Sequence, residues 1–293
     1  MRIPFVAALA CLLFAGCAPR SLPLEVVDRA AGAEVVFLGE SHDNPTHHAR
    51  QADFAGALKP RAVVWEMLTA ENAAQITPDL IADRAALESA LDWEQRGWPD
   101  FAMYYPIFQA ASAARHYGAE LPREQARRAR EAGIATAFGG EARDYGLDRA
   151  LPASEQGARE ALQQEAHCNA LPERMLAPMV GIQRLRDAML ARAALRALRE
   201  TGGPVVVITG NGHARKDWGA PAHIARVAPG VRVFSLGQTE GGQTEGGQTE
   251  DGQGAGSYDA VLDADAPARD DPCEAFRGMN PAPASVPSPA AAE

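Results

Sequence analysis

The sequence predicts an α/β protein with a mostly parallel central sheet flanked by helices and an inserted helical cap. Three observations lead there. Residues 35–38 (VVFL), 61–67 (RAVVWEM) and 204–209 (PVVVIT) are short continuous apolar runs, the pattern of strands buried on both faces. Asn44 and Pro45, a side-chain cap followed by a proline in the first helical turn, start a helix between the first two runs. Strand, helix and strand in that order make a βαβ unit, with parallel strands and a right-handed crossover. The chain of 293 residues, 46% hydrophobic and 23% charged, is long enough and apolar enough for one substantial core.

Residues 1–16 read as an export leader. Arg2 supplies the positive start, and the apolar run over 3–14 is too short for a membrane span. The run ends in FAGC over 14–17, which resembles the lipobox of bacterial lipoproteins. The resemblance implies that Cys17 is lipidated and becomes the mature N-terminus, with 17–32 as anchor and tether. Ala18 after the cysteine fits an outer-membrane destination by the same resemblance. Cys11 leaves with the leader and Cys17 carries lipid, so Cys168 and Cys273 remain, and in an oxidising compartment they are expected to pair. The net charge of −10 offers nothing basic enough to follow a phosphate backbone, so nucleic acid is excluded as an expected partner.

A single domain is expected over 33–277. Its first helix covers 46–58 and carries His47, His48 and Gln51. From 71 to 200 the chain is mostly helical and is read as a cap over the mouth of the sheet. Within it lie candidate helices at 85–93, from 100, at 120–131, at 154–169 and at 172–198, and a short candidate strand at 134–138. The α/β pattern returns with 204–209, a helix near 220–227 and a strand over 231–236. Three GQTEG copies then start at Gly237, Gly242 and Gly247, and the glycine-rich stretch 237–256 is read as a solvated loop. A last edge strand is expected over 258–262, and the alanine- and proline-rich tail 278–293 is expected to be disordered.

Two strand ends share one arrangement. Gly39-Glu40-Ser41-His42 and Gly210-Asn211-Gly212-His213 are each Gly-x-x-His directly after an apolar run. Ligands of open α/β sheets bind beyond the carboxyl ends of the strands. If the two strands are near neighbours, His42 and His213 face one crevice with Glu40 and Glu66. Imidazoles and carboxylates suit a divalent metal such as zinc or manganese, and equally general acid–base chemistry. A metal-dependent hydrolase or peptidase using Glu40, His42, Glu66 and His213 is therefore one reading of the crevice. His167 beside Cys168 suggests a catalytic thiol less well than a disulfide, and the Glu40–Asp43 turn lacks the second glycine of a nucleophile elbow.

The paired Gly-x-x-His segments resemble those of the superfamily that groups Tiki proteases, TraB proteins, erythromycin esterases and the ChaN haem-uptake lipoproteins. GESHDNPTHH, WEM, GWPDFAMYYPIF, LPREQARRAR, HCNALP, QRLRDAM and GNGHARKDWGAP together resemble the ChaN branch, over about 33–273. That resemblance implies haem binding and a part in iron uptake at the outer membrane. It further implies a tyrosine ligand, a dimer around haem and a haem receptor as possible partner. Tyr104 and Tyr105 are both candidates for the iron, with the Tyr-x-Pro spacing favouring Tyr104. Phe101, Met103 and Phe108 are candidate walls, and His42 and His213 candidate supporting groups. Arg215 with Lys216, and Arg186 on the face it shares with Gln183 and Asp187, are candidates for the propionates; a polar network or a solvated surface is the plainer reading of both sets. The GQTEG repeat departs from the family pattern.

Overall fold

A computed structural model describes residues 22–241, 257–271 and 273–274. The leader, Cys17, the second and third GQTEG copies and the tail 278–293 lie outside the described residues. Among the described residues six strands form one sheet: β1 (Val35–Glu40), β2 (Ala62–Trp65), β3 (Arg115–Gly118), β4 (Val205–Gly210), β5 (Val233–Glu240) and β6 (Ala260–Ala264). Their order is β3-β2-β4-β1-β5-β6, and every neighbouring pair is parallel. The apolar runs that mark β1, β2 and β4 are buried along their whole length, as strands covered on both faces must be.

Alternation along these strands divides the core in two. Val36, Leu38, Trp65 and Ile208 meet Phe54 of the Pro45–Leu58 helix and Phe101 and Phe108 of the Phe101–Ala110 helix. The Trp65 and Phe108 rings stack at 4.0 Å. On the other face Val35, Phe37, Val64 and Val207 meet Leu185, Ala191 and Leu195 of the Glu173–Thr201 helix, and Ile224 of the Ala220–Val227 helix. The helical stretch between β2 and β4 is thus shared between both faces. The long helix stops where Gly202 takes up a left-handed conformation, φ 77°, that L side chains adopt at a cost.

Several expectations change. The stretch 71–200 contains a strand after all: β3 is an edge strand of four residues, too short and too half-exposed to show an apolar run. Residues 134–138 form a helix, Ile134–Phe138, whose Ala137 and Phe138 pack on the core between Gly133 and Gly139. The segment 17–32, read as a tether, becomes helical at Leu24–Ala31, and Val26 and Val27 pack against the sheet. The helix expected from 154 runs over Ala153–Ala166, and no side-chain cap from Ser154 forms. The first GQTEG copy is not a loop: Gly237, Gln238, Thr239 and Glu240 are the second half of β5. Gln238 is fully buried and donates to the carbonyls of Gly39 at 2.7 Å and His47 at 3.2 Å. The pairing of Cys168 with Cys273 is present, with 5.5 Å between their Cα atoms.

Candidate functional site

β1 and β4 are adjacent, and their register sets Glu40 opposite Gly210. The chain leaves β1 through the Pro45–Leu58 helix on one face. It leaves β4 through the Asn211–Ala214 and Ala220–Val227 helices, whose Ala214 and Ile224 lie in the core of the other face. This divergence opens a crevice at the carboxyl ends of the two central strands, where such sheets bind ligands. Both Gly-x-x-His segments line it. Gly39 is required by the fit, since a Cβ there would lie 2.8 Å from Leu236 O and nearer still to Asn211 Oδ1. A Cβ at Gly210 would lie 3.1 Å from His42 Nε2, so the second segment runs directly beneath the first histidine.

Two carboxylate–imidazole clusters result. In the first, fully buried Glu40 meets His42 Nδ1 at 2.7 Å and accepts from Tyr104 Oη at 2.8 Å and Gln51 Nε2 at 2.7 Å. His48 lies 3.5 Å away and bonds the His42 carbonyl at 2.9 Å. Burial alone would raise the Glu40 pKa, but His48, His42 and Tyr104 outweigh it and hold the carboxyl below its ordinary range. In the second cluster His213 Nδ1 meets Asp187 at 2.6 Å, and its Nε2 lies 3.5 Å from Glu66. Glu66 also accepts from Thr209 Oγ1 at 2.6 Å and Gly210 N at 2.8 Å. Burial works to raise the Glu66 pKa, yet His213, His42 and these two donors pull it down to about 2. Burial lowers His213, and Glu66 and Asp187 together more than reverse this, leaving it above the ordinary histidine value.

The tyrosine expected to bind iron is not presented to solvent. Tyr104 is fully buried, and burial and the Glu40 carboxylate drive its hydroxyl far above the ordinary phenol value. It serves as a proton donor to Glu40, and a tyrosinate there would oppose a buried carboxylate. Tyr105 points elsewhere and donates to Ile81 O at 2.8 Å. The group at the rim is His42, whose side chain is 28% exposed and whose ring lies 5.1 Å from that of Trp98. Arg215 is turned away from a propionate role: it is buried against Asp217 at 2.6 Å and stacks on Trp218 at 3.9 Å. Lys216 pairs with Asp259 at 2.5 Å. Arg186 is exposed, and its charge acts on both His213 and Glu120.

Sequence reasoning placed His48 and Gln51 on the first helix and Trp98 within a family segment, but assigned none of the three to the site. The i, i+3 spacing of His48 and Gln51 beside a proline-started helix was the available signal. For a divalent metal, no group of three His, Cys, Asp or Glu side chains is placed to hold one among the described residues. Haem needs a reachable axial donor, a flat apolar wall and cations for its propionates. At the crevice His42, Trp98 and the exposed Arg186 are groups of those kinds, while Tyr104 is buried with its hydroxyl on Glu40.

A parallel α/β domain with an imidazole- and carboxylate-lined crevice at its central strand ends is the class defined here. The chain belongs to the family described as haem-binding uptake, Tiki superfamily, ChaN, whose model matches residues 26–224. Among solved structures it is similar to ChaN of Campylobacter jejuni, described as showing cofacial heme binding, with 19% identity and a TM-score of 0.56 over 77% of this chain and 89% of that one. It is also similar to the type III effector HopBA1, at 12% identity and TM-score 0.46 over 82% of this chain and 92% of that one. A mutant erythromycin esterase, EreC, in its open conformation, aligns at 14% identity and TM-score 0.43 over 76% of this chain and 74% of that one. No curated protein sequence matches the chain.

Proposed function

We propose that this protein is a haem-binding uptake lipoprotein of the outer membrane, anchored through Cys17, with its porphyrin site at the crevice between β1 and β4. The observation that supports it most is the family match over 26–224, which takes in both Gly-x-x-His segments, Trp98, Tyr104 and Arg186. In this reading haem supplies the iron, and the chain supplies the setting. His42 would serve as the donor to the iron, Trp98 as an apolar wall and Arg186 as a cation for a propionate. Glu40 accepts from Tyr104 and fixes the His42 ring through Nδ1. Two copies closing rim to rim would shield an open-faced porphyrin, so a homodimer is part of the proposal, as is handover from an outer-membrane haem receptor.

The test is a haemin titration of protein lacking residues 1–17, followed by visible spectrum and sedimentation. His42→Ala is expected to shift the Soret band and weaken binding, and Trp98→Ala to weaken binding without changing the ligand. Tyr104→Phe is expected to keep the wild-type spectrum. Loss of a charge-transfer band in Tyr104→Phe, with His42→Ala silent, would return the iron to the tyrosine. The anchor is tested separately: Cys17→Ser is expected to leave the membrane fraction, and unchanged fractionation would reject it.

A further inference from the structure

The outer edge of β3 lies on the floor of a cleft of about 960 Å3, on the far side of the sheet from β6. Parallel ladders bond alternate residues to each neighbour. Arg115 N donates to Arg61 O and Ala119 N to Trp65 O, so this parity faces β2. The N–H and C=O groups of His116 and Gly118 therefore point outward into the cleft, and no other described residue takes them up. One wall, from Ala73, Ile76 and Pro78, is mostly apolar. The other is the Glu173–Thr201 helix, which presents Arg192, Arg196 and Arg199 at i, i+4 and i+7.

This wall is positive on a chain whose net charge is −10. Arg196 and Arg115, both exposed, share Glu200, and such surface pairs are readily exchanged, whereas Arg192 is half-buried, donates to Phe138 O at 3.2 Å and stacks on the Phe138 ring. Glu120, also at the cleft, is held by Arg96. Arg199 is exposed and has no hydrogen-bonded side-chain partner among the described residues. Edge strands are ordinarily protected by a covering element or by charge that repels another strand. Here a walled groove leads to the edge instead, with arginines along one side.

We propose that the β3 edge is a docking groove for an acidic extended peptide of a partner protein, which adds to the sheet as a further strand. Main-chain bonds to His116 and Gly118 would give affinity, and acidic side chains meeting the exposed Arg196 and Arg199 would select the partner. The groove lies at the opposite edge from β6 and does not depend on the haem reading.

A labelled peptide of alternating valine and glutamate, titrated into the protein lacking residues 1–17, tests this. It is expected to bind, with affinity falling as salt rises. The R196E/R199E variant, two exposed positions whose folding is checked by circular dichroism, is expected to weaken binding by about tenfold or more. Two peptides N-methylated in alternate registers separate strand addition from simple charge attraction. The register facing β3 is expected to lose binding, and the other to keep it. No binding of the parent peptide, equal binding of both methylated peptides, or equal binding to R196E/R199E would each overturn the proposal.

Discussion

At the scale of single residues the crevice rests on two carboxylates, Glu40 fully buried and Glu66 largely so, held ionised by imidazoles. Glu66, lowered from 4.5 to about 2, adds stability that is full above pH 4.5 and is lost as pH falls toward 2. His213, raised above 6.5, adds stability that is full below pH 6.5 and is lost as pH rises through its folded value. The gap in stability between wild type and Glu66→Gln is therefore expected to be widest between these limits, and to close on the acid side. Urea unfolding across that range measures it, and a gap constant down to pH 2 would show that the pair is not coupled as described. Tyr104→Phe removes one bond to an ionised Glu40 while keeping the ring, for an expected loss of about 1.5–3 kcal/mol. The same variant is expected to keep its haem spectrum, which separates support of His42 from ligation. The candidate site was legible in part because Gly-x-x-His recurs after two apolar runs. Tyr104, Asp187 and Gln51 were visible as residues, but their contacts were not: that Tyr104 and Gln51 donate to Glu40 and that Asp187 meets His213 depends on tertiary packing.

At the scale of elements, burial decided what the sequence showed. β1, β2 and β4 are covered on both faces and stand out as apolar runs; β3 is a short edge and carries Arg, His, Tyr and Gly. The 134–138 segment has a strand-like composition, yet Gly133 and Gly139 bracket a single turn that packs best as helix. The first GQTEG copy misled for a different reason, because its glycine and polar residues match solvated loop composition. In β5 those residues are used for close approach: a Cβ at Gly237 would press on the Tyr258 ring, at 2.8 Å. Gln238 and Asn211 exchange bonds at 2.7 and 2.9 Å, which locks β5 to the turn after β4. Gln238→Ala would leave the Gly39 and His47 carbonyls without its amide, and is expected to cost about 1–3 kcal/mol. Denaturant unfolding checks this, and an unchanged midpoint would mean that the first copy contributes no more than a loop.

At the scale of the whole molecule, the described segment after β6 returns across the carboxyl ends of the strands. Asn44 Nδ2 donates to Asp265 O at 3.1 Å and to Glu240 at 2.7 Å, and Arg269 joins Asp43 at 2.8 Å to Glu240 at 2.7 Å. Cys273 then meets Cys168, in the turn between the Ala153–Ala166 and Glu173–Thr201 helices. The Arg269 pairs are half exposed and contribute little by themselves. The covalent link closes a loop of 105 residues, and for a loop near that length chain entropy favours folding by about 4.7 kcal/mol. Native strain subtracts from that, so reduction, or Cys168→Ser with Cys273→Ser, is expected to cost about 2–4 kcal/mol. The family match ends at 224, before this segment begins, so the double variant is expected to bind haem with the wild-type spectrum at temperatures where it stays folded. Thiol labelling of the denatured, unreduced protein checks the premise, since two reactive thiols would mean no bridge. A double variant that keeps full stability would mean that the bridge does not support the frame, and one that loses haem while still folded would place it in the site.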